Sequence, residues 1–320
     1  MLSENFTTLF QKTDSVVVAF SGGPDSVFLV EQLLKNGYKN VVLAHFNHHM
    51  KVRSGGNDRD EEFVKKYALQ RDVMFEIGHW DFPENSEEKA RKARYEFLEK
   101  IRQKYNASVI ITGHHKNDVA ETVLLQFFRS GGVKSLSGIT EYDRSRNLFR
   151  PILHLFKADI LAFLDKNNII YCIDSSNLEN IFLRNFLRND VIPLLETRFP
   201  NIQEHLYIQA SQFKNLENDI EKQASLFLEK QDIEMYIKNS NISSAFNVLE
   251  YLSEITEVQA EILRTIMVGK AFSRTFFLEF ISFLQKHIKD KISGKKIETK
   301  YQVFTVKRGV LFVTSKGDAV

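Results

Sequence analysis

The stretch Val16-Val17-Val18-Ala19-Phe20-Ser21-Gly22-Gly23-Pro24-Asp25-Ser26 constrains the fold of this chain more than any other. A β-branched run stops at two glycines and an aspartate. An amphipathic pattern follows, with Val27, Val30, Leu33 and Leu34 on one helical face. Strand, glycine turn and helix in that order build a cradle for phosphate. Gly22 and Gly23 have no Cβ to block a sharp turn or a close ligand. The next helix points unpaired N–H groups and its positive dipole end at an anion. Ser21 and Ser26 add hydroxyls. The loop is not a Walker A motif, since no Gly-x-x-x-x-Gly-Lys-Ser/Thr occurs. Gly131-Gly132-Val133-Lys134-Ser135 comes near, but Val133 stands where glycine must precede lysine. A dinucleotide-type Gly-x-Gly-x-x-Gly is also absent.

Strand and helix signals alternate through the first half of the chain. Strands are expected at Val16–Phe20, Asn40–His45, Val73–Ile77 and Ala107–Thr112, and helices at Ser26–Lys35, Asp58–Gln70, Ser86–Tyr105 and Asn117–Arg129. Repeated βα units predict an α/β, doubly wound, Rossmann-like parallel sheet with right-handed crossovers. Ligands in such sheets bind beyond the carboxyl ends of the strands. The Ser21 loop, the His45–Gly56 loop and the Gly113-His114-His115 turn all fall there. After Arg150-Pro151, Lys157–Asn167 reads as a helix, Asn168–Ile173 as an extended segment and Ile181–Glu196 as a helix. Helical patterns then dominate at Ile202–Lys230, Ala245–Leu252, Val258–Met267 and Ser273–Lys286. Alternation returns in Ile297–Val303 and Leu311–Val313, joined near Lys307-Arg308-Gly309. The expected organisation is a catalytic domain over residues 1–200, a helical domain over 201–288 and a small basic β segment over 289–320.

The 320 residues include 43% hydrophobic and 26% charged side chains, the balance of an ordinary soluble protein. No apolar run reaches a membrane span, and Met1–Asn5 lacks a signal-peptide pattern. The single cysteine, Cys172, excludes an intrachain disulfide and a cysteine-pair metal site. A cytoplasmic location is expected, and a homodimer is left open. The net charge of +2 is uninformative, but residues 285–320 hold nine Lys or Arg against three acids. That basic segment has the footprint of a nucleic-acid contact or of a solvated basic face.

In Thr112-Gly113-His114-His115-Lys116-Asn117-Asp118-Val119-Ala120-Glu121-Thr122, a strand runs into two histidines and a helix. Asp118, Glu121 and Thr122 are three and four residues apart, so they share a face over the expected crevice. Acids there hold a magnesium ion or orient an amine. His45, His48 and His49 have zinc-like spacing, but no cysteine or His-Glu-x-x-His accompanies them, and a nucleotide-contacting loop is the better reading. Glu88, Arg91, Arg94 and Tyr95 lie on one side of a charged helix. Arg184 and Arg188, four apart, suit phosphate or carboxylate.

Ser-Gly-Gly-x-Asp-Ser after an N-terminal strand resembles the PP-loop ATP pyrophosphatases. Several further segments resemble the tRNA(Ile)-lysidine synthetase branch of that superfamily: His45-Phe46-Asn47-His48, Arg91–Tyr95, Thr112–Thr122, Arg129–Gly132, Arg150-Pro151, Asp174–Asn177 and Arg184–Pro193. The resemblance covers about the first 200 residues. It implies a carbon–nitrogen ligase that adenylates the C2 oxygen of the wobble cytidine in a CAU anticodon with ATP. L-lysine then displaces AMP. By the same resemblance Ser21, Gly22, Gly23, Pro24, Asp25, Ser26 and His45 bind ATP. Arg94, His115, Asp118, Glu121 and Arg184 join Asp25 around the reacting groups, and Asp25 and Asp118 hold Mg2+. The partner implied is tRNA(Ile). The chain departs from the family pattern at Asn117, Val119 and His49-Met50-Lys51. Rival functions are another PP-loop tRNA-modifying or amidating enzyme and a non-catalytic RNA-binding relative. The single cysteine argues against sulfur transfer, and the intact Ser21–Ser26 and Asp118–Glu121 segments argue against loss of activity.

Overall fold

The computed structural model describes residues 1–47, 57–80, 87–129, 132–172, 183–231, 242–267, 273–289, 294 and 296–316. The chain forms two compact units, Met1–Lys214 and Asn215–Val320. The first unit begins with α1 (Glu4–Leu9), β1 (Val16–Ala19), α2 (Pro24–Lys35), β2 (Val41–Asn47), α3 (Asn57–Arg71), β3 (Met74–His79), α4 (Glu87–Lys104), β4 (Val109–Ile111) and α5 (Lys116–Phe128). It continues through α6 (Val133–Leu136), β5 (Tyr142–Asp143), β6 (Leu148–Phe149), α7 (Lys157–Lys166), α8 (Leu183–Phe186) and α9 (Ile192–Arg198). The long helix α10 (Ile202–Lys230) crosses the boundary between the units.

Six strands form one sheet in the order β3-β2-β1-β4-β6-β5. All pairings are parallel except β5 with β6. The chain winds from β1 through β2 to β3, then returns to place β4 on the other side of β1. The switch point therefore lies between β1 and β4, where a ligand crevice is expected. Alternate residues fill two cores. Val16, Val18, Phe20, Leu43, Ile111 and Phe149 pack on one face with side chains of α2, α3 and α7. Val17, Val42, Ala44, Ile110 and Leu148 pack on the other with Leu98 and Ile101 of α4. A strand buried on both faces reads as an unbroken β-branched run, which is why Val16–Val18 was legible.

The expected doubly wound sheet is present, with additions. Sequence patterning did not anticipate α1, α6 or the β5–β6 hairpin. Phe6 of α1 is fully buried, with the Phe10, Tyr38 and Phe149 ring centroids at 5.2, 5.4 and 5.3 Å. The continuous helix expected over Ile181–Glu196 is interrupted by a π turn at Leu187–Val191 between α8 and α9. Such turns favour functional sites. Residues Ile169–Cys172 do not join the sheet. The Cys172 N–H donates instead to the Gly22 carbonyl at 2.8 Å.

The second unit holds β7 (Ile242–Asn247), α11 (Val248–Ser253), α12 (Thr256–Ile266), α13 (Arg274–Lys289), β8 (Lys296–Glu298), β9 (Gln302–Lys307) and β10 (Val310–Ser315). Its sheet is antiparallel in the order β7-β10-β9-β8. The division into 201–288 and 289–320 is therefore not followed. The helices and basic strands belong to one unit, which starts at Asn215. The helix expected from Ala245 begins only at Val248, because Ala245–Asn247 pair with β10. Asn247 then caps the helix by accepting from the Leu249 and Glu250 N–H groups. Arg308 and Gly309, both at positive φ, turn β9 into β10. Tyr251, Phe246, Phe280 and Phe304 fill the core. Among the described residues, no helix is long and apolar enough to cross a membrane.

Phe6→Ala should cost about 3–5 kcal/mol in urea unfolding of the first unit. A loss below about 1 kcal/mol would show that α1 does not contribute to that core.

Candidate active site

The phosphate loop leaves β1 at its carboxyl end. Gly22 has φ +82°, and a Cβ there would meet the Phe63 ring at 3.1 Å and Cys172 Sγ at 3.5 Å. The position thus needs glycine for both conformation and space. Gly23 is the N-cap of α2, and Pro24 occupies the first turn, where a missing N–H costs nothing. The two serines brace the turn. Ser26 Oγ donates to the Gly23 carbonyl at 2.9 Å, and the Gly23 N–H donates to Ser21 Oγ at 3.3 Å. His45 is buried, with Nδ1 3.0 Å from the Phe20 carbonyl, and so braces the strand end just before the loop.

Across the switch point, the β4–α5 turn approaches α2 closely. A Cβ on Gly113 would lie 3.0 Å from the Asp25 backbone. This contact brings His115 to Asp25. His115 Nε2 is 3.6 Å from Asp25 Oδ1 and 3.6 Å from Asp118 Oδ2. His115 Nδ1 is enclosed and has no hydrogen-bond partner. A buried unpaired acceptor is tolerated better than a buried unpaired donor, so the proton belongs on Nε2, between the two carboxylates.

Asp118 and Glu121 face the segment that carries Arg184 and Arg188. Asp118 Oδ2 accepts from the His115 N–H at 2.9 Å. Asp118 Oδ1 accepts from Arg184 at 3.1 Å and from Arg188 at 3.3 Å. Glu121, whose side chain is 2% exposed, accepts from Arg184 Nε at 2.8 Å and from Arg188 at 2.5 and 2.9 Å. Burial opposes ionisation of Asp118. His115, His114, Arg184 and the His115 amide outweigh it and hold the carboxyl at about 2. Burial drives the His114 imidazole down to about 3. Asp118 opposes this, while Arg150, Arg184 and Arg94 reinforce it. His114 Nδ1 lies 2.8 Å from Thr112 Oγ1. Arg94 is lowered by burial, and Arg184 is among the nearby charges.

Asp25, His115, Asp118, Glu121 and Arg184 thus converge, with Arg94 beside them across His114. Lys157 was missed. Its ammonium is 2.5 Å from Asp25 Oδ1. The available signal was a lysine opening a helix, α7, where the dipole disfavours a cation. Asn117, a departure from the family pattern, is engaged structurally. It accepts from the Lys157 N–H at 2.9 Å and donates to Gln203 at 2.6 Å. His48, His49, the rest of the loop to Gly56, Gly131 and Asp174–Asn177 lie outside the described residues.

Residues 2–195 match the family model described as a PP-loop domain. A tRNA(Ile)-lysidine synthase of Clostridioides difficile is 31% identical over 99% of this chain and 68% of its own length. This chain belongs to the tRNA(Ile)-lysidine synthase family. A second member, from Chlorobaculum tepidum, is 28% identical over 85% of this chain and 91% of its own length. The relative from Parabacteroides distasonis is 36% identical over 60% of this chain, and the match spans 44% of that relative's length. Among solved structures, the U34-tRNA thiolase NcsA from Methanococcus maripaludis, with its 4Fe-4S cluster, shares the fold. It superposes with a TM-score of 0.51 at 16% identity over 62% of this chain and 71% of that chain.

Two predictions follow from the electrostatics. His45 and His114 are both lowered in the folded state, chiefly by burial. The unfolded chain therefore binds protons that the folded chain refuses. Stability is complete above the unfolded value of about 6.5 and falls as pH drops from there toward about 3. His114→Asn should remove roughly 4–5 kcal/mol of that dependence, read from urea midpoints between these limits. An unchanged profile would show that His114 is not buried neutral. Glu121→Ala should cost about 3–5 kcal/mol by stranding two guanidiniums, whereas a loss near zero in the same titration would show that the cluster is solvated.

Proposed function

We propose that this chain joins L-lysine to C2 of the wobble cytidine in the CAU anticodon of tRNA(Ile), converting ATP to AMP and pyrophosphate. The observation that carries this reading is the convergence of the Asp118–Glu121 carboxylates and the Arg184–Arg188 guanidiniums on the phosphate loop in a lysidine synthase family member. The C2 oxygen attacks the α-phosphorus, and the bond to the pyrophosphate leaving group breaks. The lysine ε-amine then attacks C2 and loses a proton, and the C2–O bond breaks with its electron pair and oxygen leaving as part of AMP. An unmodified cytosine oxygen is a poor leaving group, and AMP is a good one.

Each residue has a task in this scheme. Gly22, Gly23 and the N-terminus of α2 receive the pyrophosphate end of ATP. Lys157 neutralises charge there. Arg94 and Arg184 offset charge that develops on the α-phosphate. The Asp118–Glu121 face attracts the cationic amino acid. Its carboxylates already carry two guanidiniums, so the substrate shares those partners and adds to a formed network. His115 holds Asp25 and Asp118 in register through its Nε2 proton.

For Mg2+, the donor set fits at Asp25 alone. Among the described residues, no group of three or more His, Cys, Asp or Glu side chains is arranged for a metal. Magnesium commonly uses one or two carboxylates and completes its shell with substrate phosphates and water. Lys157 engages Asp25 Oδ1, whereas both Asp118 oxygens are committed to nitrogen donors. Bound there, Mg2+ would neutralise phosphate charge. Sulfur transfer is disfavoured, because burial and Asp60 raise the Cys172 thiol to about 11. The proposed site of action is the cytoplasm.

The deciding assay mixes the protein with ATP, labelled lysine and tRNA(Ile) bearing CAU. Label should enter the tRNA with one pyrophosphate released per lysine, and no label with folded protein would refute the assignment. Asp25→Asn should lower kcat at least about 100-fold with unchanged circular dichroism. Wild-type turnover would remove Asp25 from the reaction. Deleting residues 285–320 would destroy the second sheet, so charge neutralisation is the cleaner test of this basic segment. Lys289→Gln, Lys300→Gln and Lys307→Gln together should flatten the salt dependence of tRNA binding by a slope of roughly 1–3, and an unaltered slope would assign these lysines to solvent.

A further inference from the structure

We infer that Arg91, Arg146 and Arg150, packed with Arg94 around Tyr95, form a second anion subsite that takes a backbone phosphate of the RNA substrate beside the nucleotide being modified. The inference rests on the proposed reading of the chain as a tRNA-modifying enzyme. The guanidinium carbons of Arg91, Arg94 and Arg146 lie 5.6, 5.6 and 5.7 Å from the Tyr95 ring centroid. Arg150 completes the group and is 5% exposed. It donates to the Thr140 carbonyl at 2.5 Å, but its Nε is enclosed without a partner.

The acids do not balance this charge. Asp143 lies 3.8 Å from Arg146, and among the described residues no carboxylate makes an ion pair with Arg91, Arg94 or Arg150. Attraction to the Tyr95 ring face is weak compared with crowding four cations in a partly dry setting. An anion with several acceptor oxygens removes that cost, and the guanidinium fork matches phosphate. The field of these groups is felt by the phenol itself. Burial would raise Tyr95, yet Arg91, Arg94, Arg150 and Arg146 leave it lowered.

Position separates this subsite from the one for ATP. The nucleotide phosphates have the Gly22–Gly23 loop, α2 and Lys157. The arginines come instead from α4, the β5–β6 hairpin and the residue after it. Arg150 forms a buried floor, while Arg91 and Arg146 are an exposed rim that an extended strand can reach. The cluster borders the reaction site through His114, which is influenced by Arg150, Arg184 and Arg94. A phosphate held there would hold an unstacked nucleotide at the crevice.

The test uses the full chain with the paired substitutions Arg91→Gln and Arg146→Gln, both at exposed positions. The probe is the CAU anticodon stem–loop, titrated by fluorescence anisotropy across salt, with ATP binding measured separately by calorimetry. The variant should bind the stem–loop about tenfold or more weakly, with a salt slope smaller by roughly 1, and bind ATP as the wild type does. A single neutral methylphosphonate linkage beside the wobble cytidine should weaken the wild type and leave the variant unaffected. Unchanged stem–loop binding by a variant of a wild type that still forms lysidine overturns this inference alone. Weakened ATP binding with intact stem–loop binding also overturns it, by assigning the cluster to the nucleotide. A wild type that neither binds the stem–loop nor modifies tRNA overturns the underlying reading as well.

Discussion

Charge compensation at Glu121 is the interaction on which the candidate site depends. A carboxylate this enclosed is tolerated only with full pairing, and Arg184 and Arg188 supply it from a segment more than sixty residues later. The same pairing fixes the π turn and α9 against α5, with Leu187 and Ile192 packed on Leu124 beneath it. Asp118 is thereby held in one geometry, and through the His115 amide it sets the first turn of α5. The loop that approaches Asp25 is thus tied to a helix that sequence order would not place beside it.

The close approach of Gly113 to Asp25 joins the two halves of the site. One half is a phosphate loop whose own hydroxyls and backbone already satisfy each other. The other is an ion cluster. With no side chain at residue 113, the two meet at van der Waals distance, and His115 is shared between their carboxylates. The chain's own side chains thus hold the two halves of the site together, the kind of fixed arrangement that limits reorganisation during a reaction.

What could be read from the sequence follows from how local each signal is. The central strands were plain because burial on both faces makes them uniformly apolar, and the phosphate loop because its glycines and helix start are contiguous. The Asp118–Glu121 face was visible through helical spacing. Other features depend on distant partners. The hairpin strands β5 and β6 have two residues each, too few for a period. Ala245–Asn247 followed a helical pattern, but pairing with β10 prevailed over local propensity. The nucleotide role of His45 came from the family resemblance, and only the three-dimensional contact shows its Nδ1 turned to the Phe20 carbonyl. Lys157 and the Tyr95 arginines gain meaning only when chain segments far apart are assembled.

The ion pair between Lys157 and Asp25 changes how binding energy is counted at this centre. The Lys157 ammonium neutralises that carboxylate. In the proposed reaction a triphosphate entering there would exchange one set of partners for another, and its affinity would reflect the difference between two satisfied arrangements. The pair leaves no bare anion beside the phosphate loop, and in the proposed reaction release of pyrophosphate would restore it. Lys157 is in this sense a built-in counter-ion, which makes departure of a highly charged product as natural as its capture.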